Sequence, residues 1–329
     1  MRQQPHETIW NLATATVASR TLQVVAEIGV ADHVGDKSTN IKDIAAACGV
    51  DPAALERAML LLAAHDIFEQ REDGFVHTDA SRLLRDDHPM SMRAFPRMMG
   101  LPSFTASFGH LEHSIRTGST AFELVNPDGL FAHLQQNPHE GAVFDASMTS
   151  KAAADIAAVL GAYDFSRFST IADIGGGRGH LLRAILETAP NATGILFDLP
   201  AVINTLDVES DRLAVQAGDF FADPLPPADA FVLMEILHDW DDPHAADILT
   251  EVRRAAAPGA SLLIIEALID DDQPNPVVHT LDMIMLAITG GRERTAAQHA
   301  QLLDRTGFHT KAVHETPSAL RIVEAVAVT

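Results

Sequence analysis

Apolar residues recur along this chain in two rhythms, and the change from one to the other divides it. In the first third the spacing is helical: Val17, Leu22, Val25 and Ile28 share one face of a segment over 13–28 that Gly29 ends. A short helix over 41–47 follows, and Asp51 then caps a helix over 53–65 with Pro52 in its first turn and Leu55, Met59 and Leu62 on one side. Two short strand patterns, 67–69 and 74–77, flank the turn Glu72-Asp73-Gly74. Helix, turn, helix, hairpin is the order of a winged helix, whose obvious use is DNA recognition. The second helix holds one cation, Arg57, beside the acid Glu56, so a structural or dimerisation role is expected instead. Residues 106 to about 165 read as connecting helices, with Phe144, Met148 and Tyr163 as candidate pocket walls.

From residue 170 the rhythm alternates. Apolar strand runs at 170–172, 194–197, 228–234 and 261–265 are separated by helical patterns, including Leu181, Leu182, Ile185 and Leu186 and the segment 245–256, and 312–327 suggests a closing hairpin. Such alternation predicts an α/β domain with a parallel sheet covered by helices on both faces. The expected division is 1–105 and 106–329.

The most informative chemistry lies between Ile171 and Leu199. A strand ends in Asp173, a glycine loop follows (Gly175, Gly176, Gly177, Gly179), then a helix, then a second strand ending in Asp198. This is the first half of a nucleotide-binding α/β fold, and a carboxylate at the second strand end suits the two hydroxyls of a ribose. A dinucleotide fingerprint needs a third glycine where His180 stands, and no lysine followed by Ser or Thr closes the loop as in a phosphate-binding loop. Asp173, two residues before the first glycine, would repel a pyrophosphate. S-adenosylmethionine carries no phosphate, and a carboxylate beside the turn can help hold its cationic amino-acid end. The competing reading is a glycine turn that only packs a helix on a strand.

In doubly wound sheets ligands lie across the carboxyl ends of the strands. Polar residues fall at such ends at Asp173, Asp198, Asp219, the stretch 235–240 and Glu266. Among sixteen histidines, His238 is distinguished by position: it follows a strand and a short apolar segment, so it is expected at the mouth of the cleft.

Composition narrows the partners. Net charge is −22, and residues 1–105 hold ten Lys/Arg against fourteen Asp/Glu, so neither part offers the basic field that nucleic acid or an anionic membrane needs. With 47% apolar and 21% charged residues the chain reads as globular and soluble. Its longest apolar run, 58–64, is far too short to span a bilayer, and its start lacks a signal pattern, so a cytoplasmic location is expected. Cys48 is the only cysteine, which excludes an internal disulfide; lying among small apolar residues, it reads as a buried spectator.

DIGGGRGH, LFDLP, GDFF, ILHDWDD and GGRERT occur here in the order, and at roughly the spacings, of class I S-adenosylmethionine-dependent O-methyltransferases. The chain resembles the caffeic-acid, hydroxyneurosporene and antibiotic-tailoring group over nearly its whole length. That resemblance implies a Rossmann-like catalytic domain behind an N-terminal, mainly helical winged-helix dimerisation domain, and a homodimer without a metal. It implies His238 as general base, with Glu266 and Glu293 as the acids that bracket it. Cofactor positions are Gly175, Asp198, Asp219 and Phe220, joined by Asp173, Gly177, Leu199, Gly218 and Met234. Met234 is a departure, because plant members have a lysine there. The acceptor lining implied is Phe95, Met99, Phe144, Met148, Asp239, Met285 and Ile288.

The residue types make sense for methyl transfer. An oxygen nucleophile must be aligned behind a sulfonium methyl. A phenol of pKa ≈ 10 attacks poorly until its proton is being removed, which an imidazole with a carboxylate partner can do. The expected function is O-methylation of a small aromatic or polyketide-like hydroxyl compound, leaving S-adenosylhomocysteine. Two alternatives stand beside it: cofactor-dependent decarboxylation, hydroxylation or ring closure on the same fold, and a ligand-sensing winged-helix regulator.

Overall fold

The computed structural model describes residues 4–207 and 210–328. Two compact units emerge, Met1–Thr105 with Gln136–Lys151, and Ala106–Gln135 with Ala152–Thr329. Residues 136–151 thus group with the N-terminal unit, whereas the sequence pattern placed them with the rest of 106–329. One tie is local: the Ser103 hydroxyl donates to the Glu140 carboxylate.

The N-terminal unit is built from helices Pro5–Glu27, Ile41–Cys48 and Pro52–Ala63 and a hairpin of β1 (Phe68–Arg71) and β2 (Gly74–His77). Asn40 caps the second helix through the Lys42 amide, and Asp51 caps the third through that of Ala54. Val25, Ile44, Leu55, Met59, Leu62, Phe68 and Phe75 form its core. The expected single apolar face of the first helix holds only near its end. Val25 is buried, but Val17 is exposed, as are Ile9, Trp10 and Leu12. Cys48 is half-buried rather than enclosed.

The second unit carries β3 (Thr170–Ile174), β4 (Thr193–Asp198), β5 (Leu213–Ala217), β6 (Ala230–Met234), β7 (Ser261–Ile269), β8 (Arg294–Thr295), β9 (Phe308–Glu315) and β10 (Leu320–Ala327). Their order is β5-β4-β3-β6-β7-β10-β9, with β8 beside β7. Pairs from β5 to β7 are parallel, while β10 runs antiparallel to both β7 and β9, so the closing hairpin makes the sheet mostly rather than wholly parallel.

Alternation along the strands feeds two cores. Ala230, Val232, Leu263 and Ile265 pack on one face, and Phe231, Leu233, Leu262 and Ile264 on the other. From β3 the chain winds outward through β4 and β5, then returns to place β6 on the other side. The loops after β3 and β6 therefore meet at the point where strand order reverses, the usual ligand crevice of such sheets.

Candidate active site

The loop after β3 turns in five residues into the helix His180–Thr188. Gly175 and Gly177 have φ of +71° and +58° there, and a β-carbon on Gly175 would lie 2.6 Å from the Ile236 side chain in the loop after β6. Asp173 lies beneath this turn. It is 2% exposed, and neither carboxylate oxygen has a hydrogen-bond partner. Burial, then the nearby charge of Asp198, lift its pKa to about 7. A buried acceptor left without a donor fits an ammonium group or the water that serves it.

Asp198 ends β4 with both oxygens partly used: Oδ2 accepts the Gly177 amide at 2.7 Å and Oδ1 that of Leu199 at 2.7 Å. The loop thus orients this carboxylate at the strand end, and a carboxylate is an acceptor suited to a ribose diol. Asp219 accepts the Phe221 amide at 2.9 Å and fixes the turn that presents Phe220, which is half-buried and meets Phe221 edge-on at 4.8 Å. Leu199 and Met234 are half-buried at the ends of β4 and β6. Gly218 is buried under the Phe197 ring, 2.6 Å from where its β-carbon would stand, so no larger residue fits there. These groups fit an adenosyl ligand with a cationic amino-acid end.

A second cluster forms around the 3-10 turn Leu237–Asp239 that follows β6. His238 lies deeper than a cleft mouth, at 5% exposure, and Glu266 and Glu293 are fully buried. Glu293 Oε1 is 2.8 Å from His238 Nδ1, whereas Glu266 Oε1 accepts the His238 backbone N–H at 3.0 Å. The two acids thus act on different parts of one residue: Glu293 on the ring, Glu266 on the main chain. Asp239 Oδ1 is 3.9 Å from Nε2, beyond hydrogen-bond reach. A carboxylate on Nδ1 keeps the proton there, so the neutral ring presents its lone pair at Nε2. Burial pulls the imidazole pKa down, but the Glu293 hydrogen bond and the charges of Asp239, Glu293 and Glu266 outweigh it and lift it to about 10.

The turn is held by residues the sequence pattern did not single out. Arg294, only 1% exposed, does not pair with Glu293. It donates to the carbonyls of Leu237 and Trp240, both at 2.8 Å, and pairs with Asp242. The Glu293 amide donates to Asp282 at 2.9 Å and the Arg292 amide to the His238 carbonyl at 2.8 Å. Gly291, Arg292 and Arg294 all belong to GGRERT; in the sequence the arginines suggested only salt-bridge partners for the acid. His299, buried behind Glu266, gave no signal at all.

The acceptor candidates fall in separate places. Phe95 and Met99 lie on the helix Ala94–Met99, and Phe144 and Met148 on Pro138–Ala162, all half-buried within the N-terminal unit. Met285 and Ile288 are buried on the helix Pro276–Ile288 of the second unit, while Asp239 is half-buried beside the base. Tyr163 is no pocket wall. It packs against Phe165 and Phe168 in the core, with Arg167 over its ring at 4.9 Å. Among the described residues no group of three or more His, Cys, Asp or Glu is arranged to hold a metal, and no helix is long and apolar enough to cross a membrane.

Comparison with known proteins agrees with this geometry. Residues 108–309 match the O-methyltransferase domain family and residues 10–87 the O-methyltransferase dimerisation domain family. The phenazine O-methyltransferase of Lysobacter antibioticus is 36% identical, with 95% of this chain and 94% of that protein covered. The O-demethylpuromycin-O-methyltransferase of Streptomyces alboniger is 35% identical over 98% of this chain and 89% of its own. Among solved structures, human N-acetylserotonin methyltransferase in complex with S-adenosylmethionine superposes with a TM-score of 0.92 at 25% identity, covering 100% of this chain and 99% of that one. The chain therefore belongs to the O-methyltransferase family, as an S-adenosylmethionine-dependent enzyme that carries the family's own dimerisation domain.

Proposed function

We propose that the enzyme methylates a hydroxyl of a small, neutral, aromatic acceptor, with His238 as general base. The observation that carries this reading is the 2.8 Å contact between His238 Nδ1 and a fully buried Glu293, which leaves Nε2 as the only ring nitrogen able to take a proton. When bound, S-adenosylmethionine supplies an electrophilic methyl on its sulfonium. Asp173 holds the cationic amino-acid end, directly or through water, and Asp198 takes the ribose. His238 Nε2 accepts the acceptor's proton as its oxygen attacks, and Glu293 stabilises the imidazolium that results. Glu293 raises the basicity of His238 toward that of a phenol, and the ring acts in its deprotonated form.

In this reading Met285 and Ile288 offer the acceptor apolar contacts on the second unit, with Asp239 beside the base, and Phe95, Met99, Phe144 and Met148 are the candidate acceptor contacts of the first. No lysine or arginine falls among them, which favours neutral acceptors over obligatory carboxylates and gives modest discrimination of shape. The exposed Ile9, Trp10, Leu12 and Val17 support a homodimer formed through the N-terminal unit. Neither nucleic acid nor a membrane is a partner, and the enzyme works in the cytoplasm.

The test is product mass after incubation with S-adenosylmethionine and a panel of neutral phenols, hydroxyquinones and aromatic acids. A gain of one methyl on neutral members supports the proposal. Turnover of anionic acids alone overturns the acceptor class, and a product without the methyl overturns the reaction.

A further inference from the structure

Behind the main chain of His238 lies a second imidazole that no step above uses. His299, on the helix Ala296–Arg305, is fully buried, and its Nε2 stands 3.5 Å from Glu266 Oε2. Neither nitrogen of His299 has a hydrogen-bond partner, and Glu266 Oε2 has none. Two orphaned polar atoms facing each other in a dry core need a proton between them.

The surrounding charges decide where that proton sits. Glu266 is faced by His238 from the turn after β6, by Glu293 just before β8 and by Arg294 at its start. Arg294 is engaged by Asp242 and two carbonyls. Arg321, opposite Glu266 on β10, pairs with Glu315 instead. His299 is held neutral by burial, then by Arg294, its pKa pulled to about 3. The two cations that face Glu266 are each engaged elsewhere, the His238 ring by Glu293 and Arg294 by Asp242, and a second buried anion beside Glu293 is costly. Burial, together with the charge of Glu293 and against that of His238, lifts Glu266 to about 7. Among the groups that raise His238, Glu266 contributes least.

We propose that Glu266 works as a carboxylic acid at neutral pH and below, donating its proton to His299 Nε2, so that Glu293 is the anionic partner of His238. His299 is then a positioning residue: it holds Glu266, whose Oε1 holds the His238 main chain. The proposal rests on His238 being the base, but its test does not.

Infrared difference spectra of the full-length protein with S-adenosylhomocysteine, wild type minus Glu266→Gln at pH 6.5, read the acid directly. Subtraction against that variant isolates Glu266 from Asp173. A protonated carboxyl band present in wild type and lost in the variant is expected; absence of the band overturns the proposal. If Glu266→Gln does not fold, His299→Phe serves, because loss of the hydrogen bond shifts the band, and an unshifted band overturns the pairing. Kinetics give an independent readout. His299→Phe lowers kcat by roughly tenfold and His299→Gln, which keeps an acceptor, restores it to within about threefold of wild type. Should His238→Ala keep full activity, the base assignment fails while the infrared band still decides the pair.

Discussion

Gly291 is pressed so closely onto His238 that a β-carbon on it would stand 2.0 Å from the His238 carbonyl oxygen. No side chain fits there, so the GGRERT segment and the turn carrying the base form one packed unit. Gly291→Ala must push that turn away from Glu293. Misplacement by about 1 Å costs roughly 10²-fold in rate, so kcat is expected to fall on that scale while titration calorimetry shows S-adenosylhomocysteine affinity nearly unchanged. A folded variant with wild-type kcat contradicts the role of this contact.

Glu293→Gln removes the carboxylate that raises His238. The base works deprotonated, so kcat/KM of wild type rises with pH toward a pKa lifted to about 10. Loss of the anion lowers that pKa, and the rising limb moves to lower pH. Turnover at the plateau falls by about 10²-fold or more, as when the orienting acid of a triad is neutralised. An unmoved limb would show that Glu293 does not set the base.

Asp198→Asn leaves the loop an acceptor but removes the charge beside the Gly177 amide. Hydrogen bonds to a charged group contribute about 1.5–3 kcal/mol, so S-adenosylhomocysteine affinity is expected to fall roughly 10- to 100-fold. At saturating cofactor kcat changes little. Unchanged affinity by calorimetry would remove Asp198 from the ribose site.

Glu324 tests stability away from the chemistry. It is 3% exposed on β10, where Lys311 and His314 contact it at 2.9 and 2.8 Å and Arg167 also pairs with it. Burial raises its pKa, but these three partners overcome that and lower it to about 2. A depressed carboxylate stabilises the fold above its ordinary value of 4.5, and that contribution fades as pH falls from there toward 2. Because Lys311 and Arg167 remain half-exposed, Glu324→Gln is expected to cost only about 1–3 kcal/mol at pH 7. Urea midpoints should differ clearly at pH 7 and converge as pH drops toward 3. A gap that persists in acid would assign the cost to packing rather than charge.

Much of this fold is legible in the sequence because its elements are strongly periodic. The runs that predict β3, β4, β6 and β7 are buried on both faces, as a parallel core requires. The cap at Asp51 is local chemistry and stands where the residues place it. Three features depended on contacts distant in sequence. Residues 136–151 join the N-terminal unit through contacts such as Ser103 with Glu140. The first half of Pro5–Glu27 exposes an apolar side that helical spacing alone would bury. Gly218 sits in a cofactor-like motif and packs on Phe197.

The site shows the same division. His238 follows β6, Glu266 lies within β7, which runs on past the end its apolar run suggested, and Glu293 precedes β8; they meet only in space, so spacing pointed to them but could not tell which acid holds the ring. Arg294 and His299 act through carbonyls and a buried carboxylate, contacts that leave no one-dimensional pattern.

The central claim is tested most directly by the rate of methyl transfer in His238→Ala, measured at saturating S-adenosylmethionine on an acceptor that the wild type methylates. A loss of about 10²–10⁴-fold, with S-adenosylhomocysteine affinity retained, is the outcome predicted for removal of a general base. A variant that transfers methyl at the wild-type rate would contradict it.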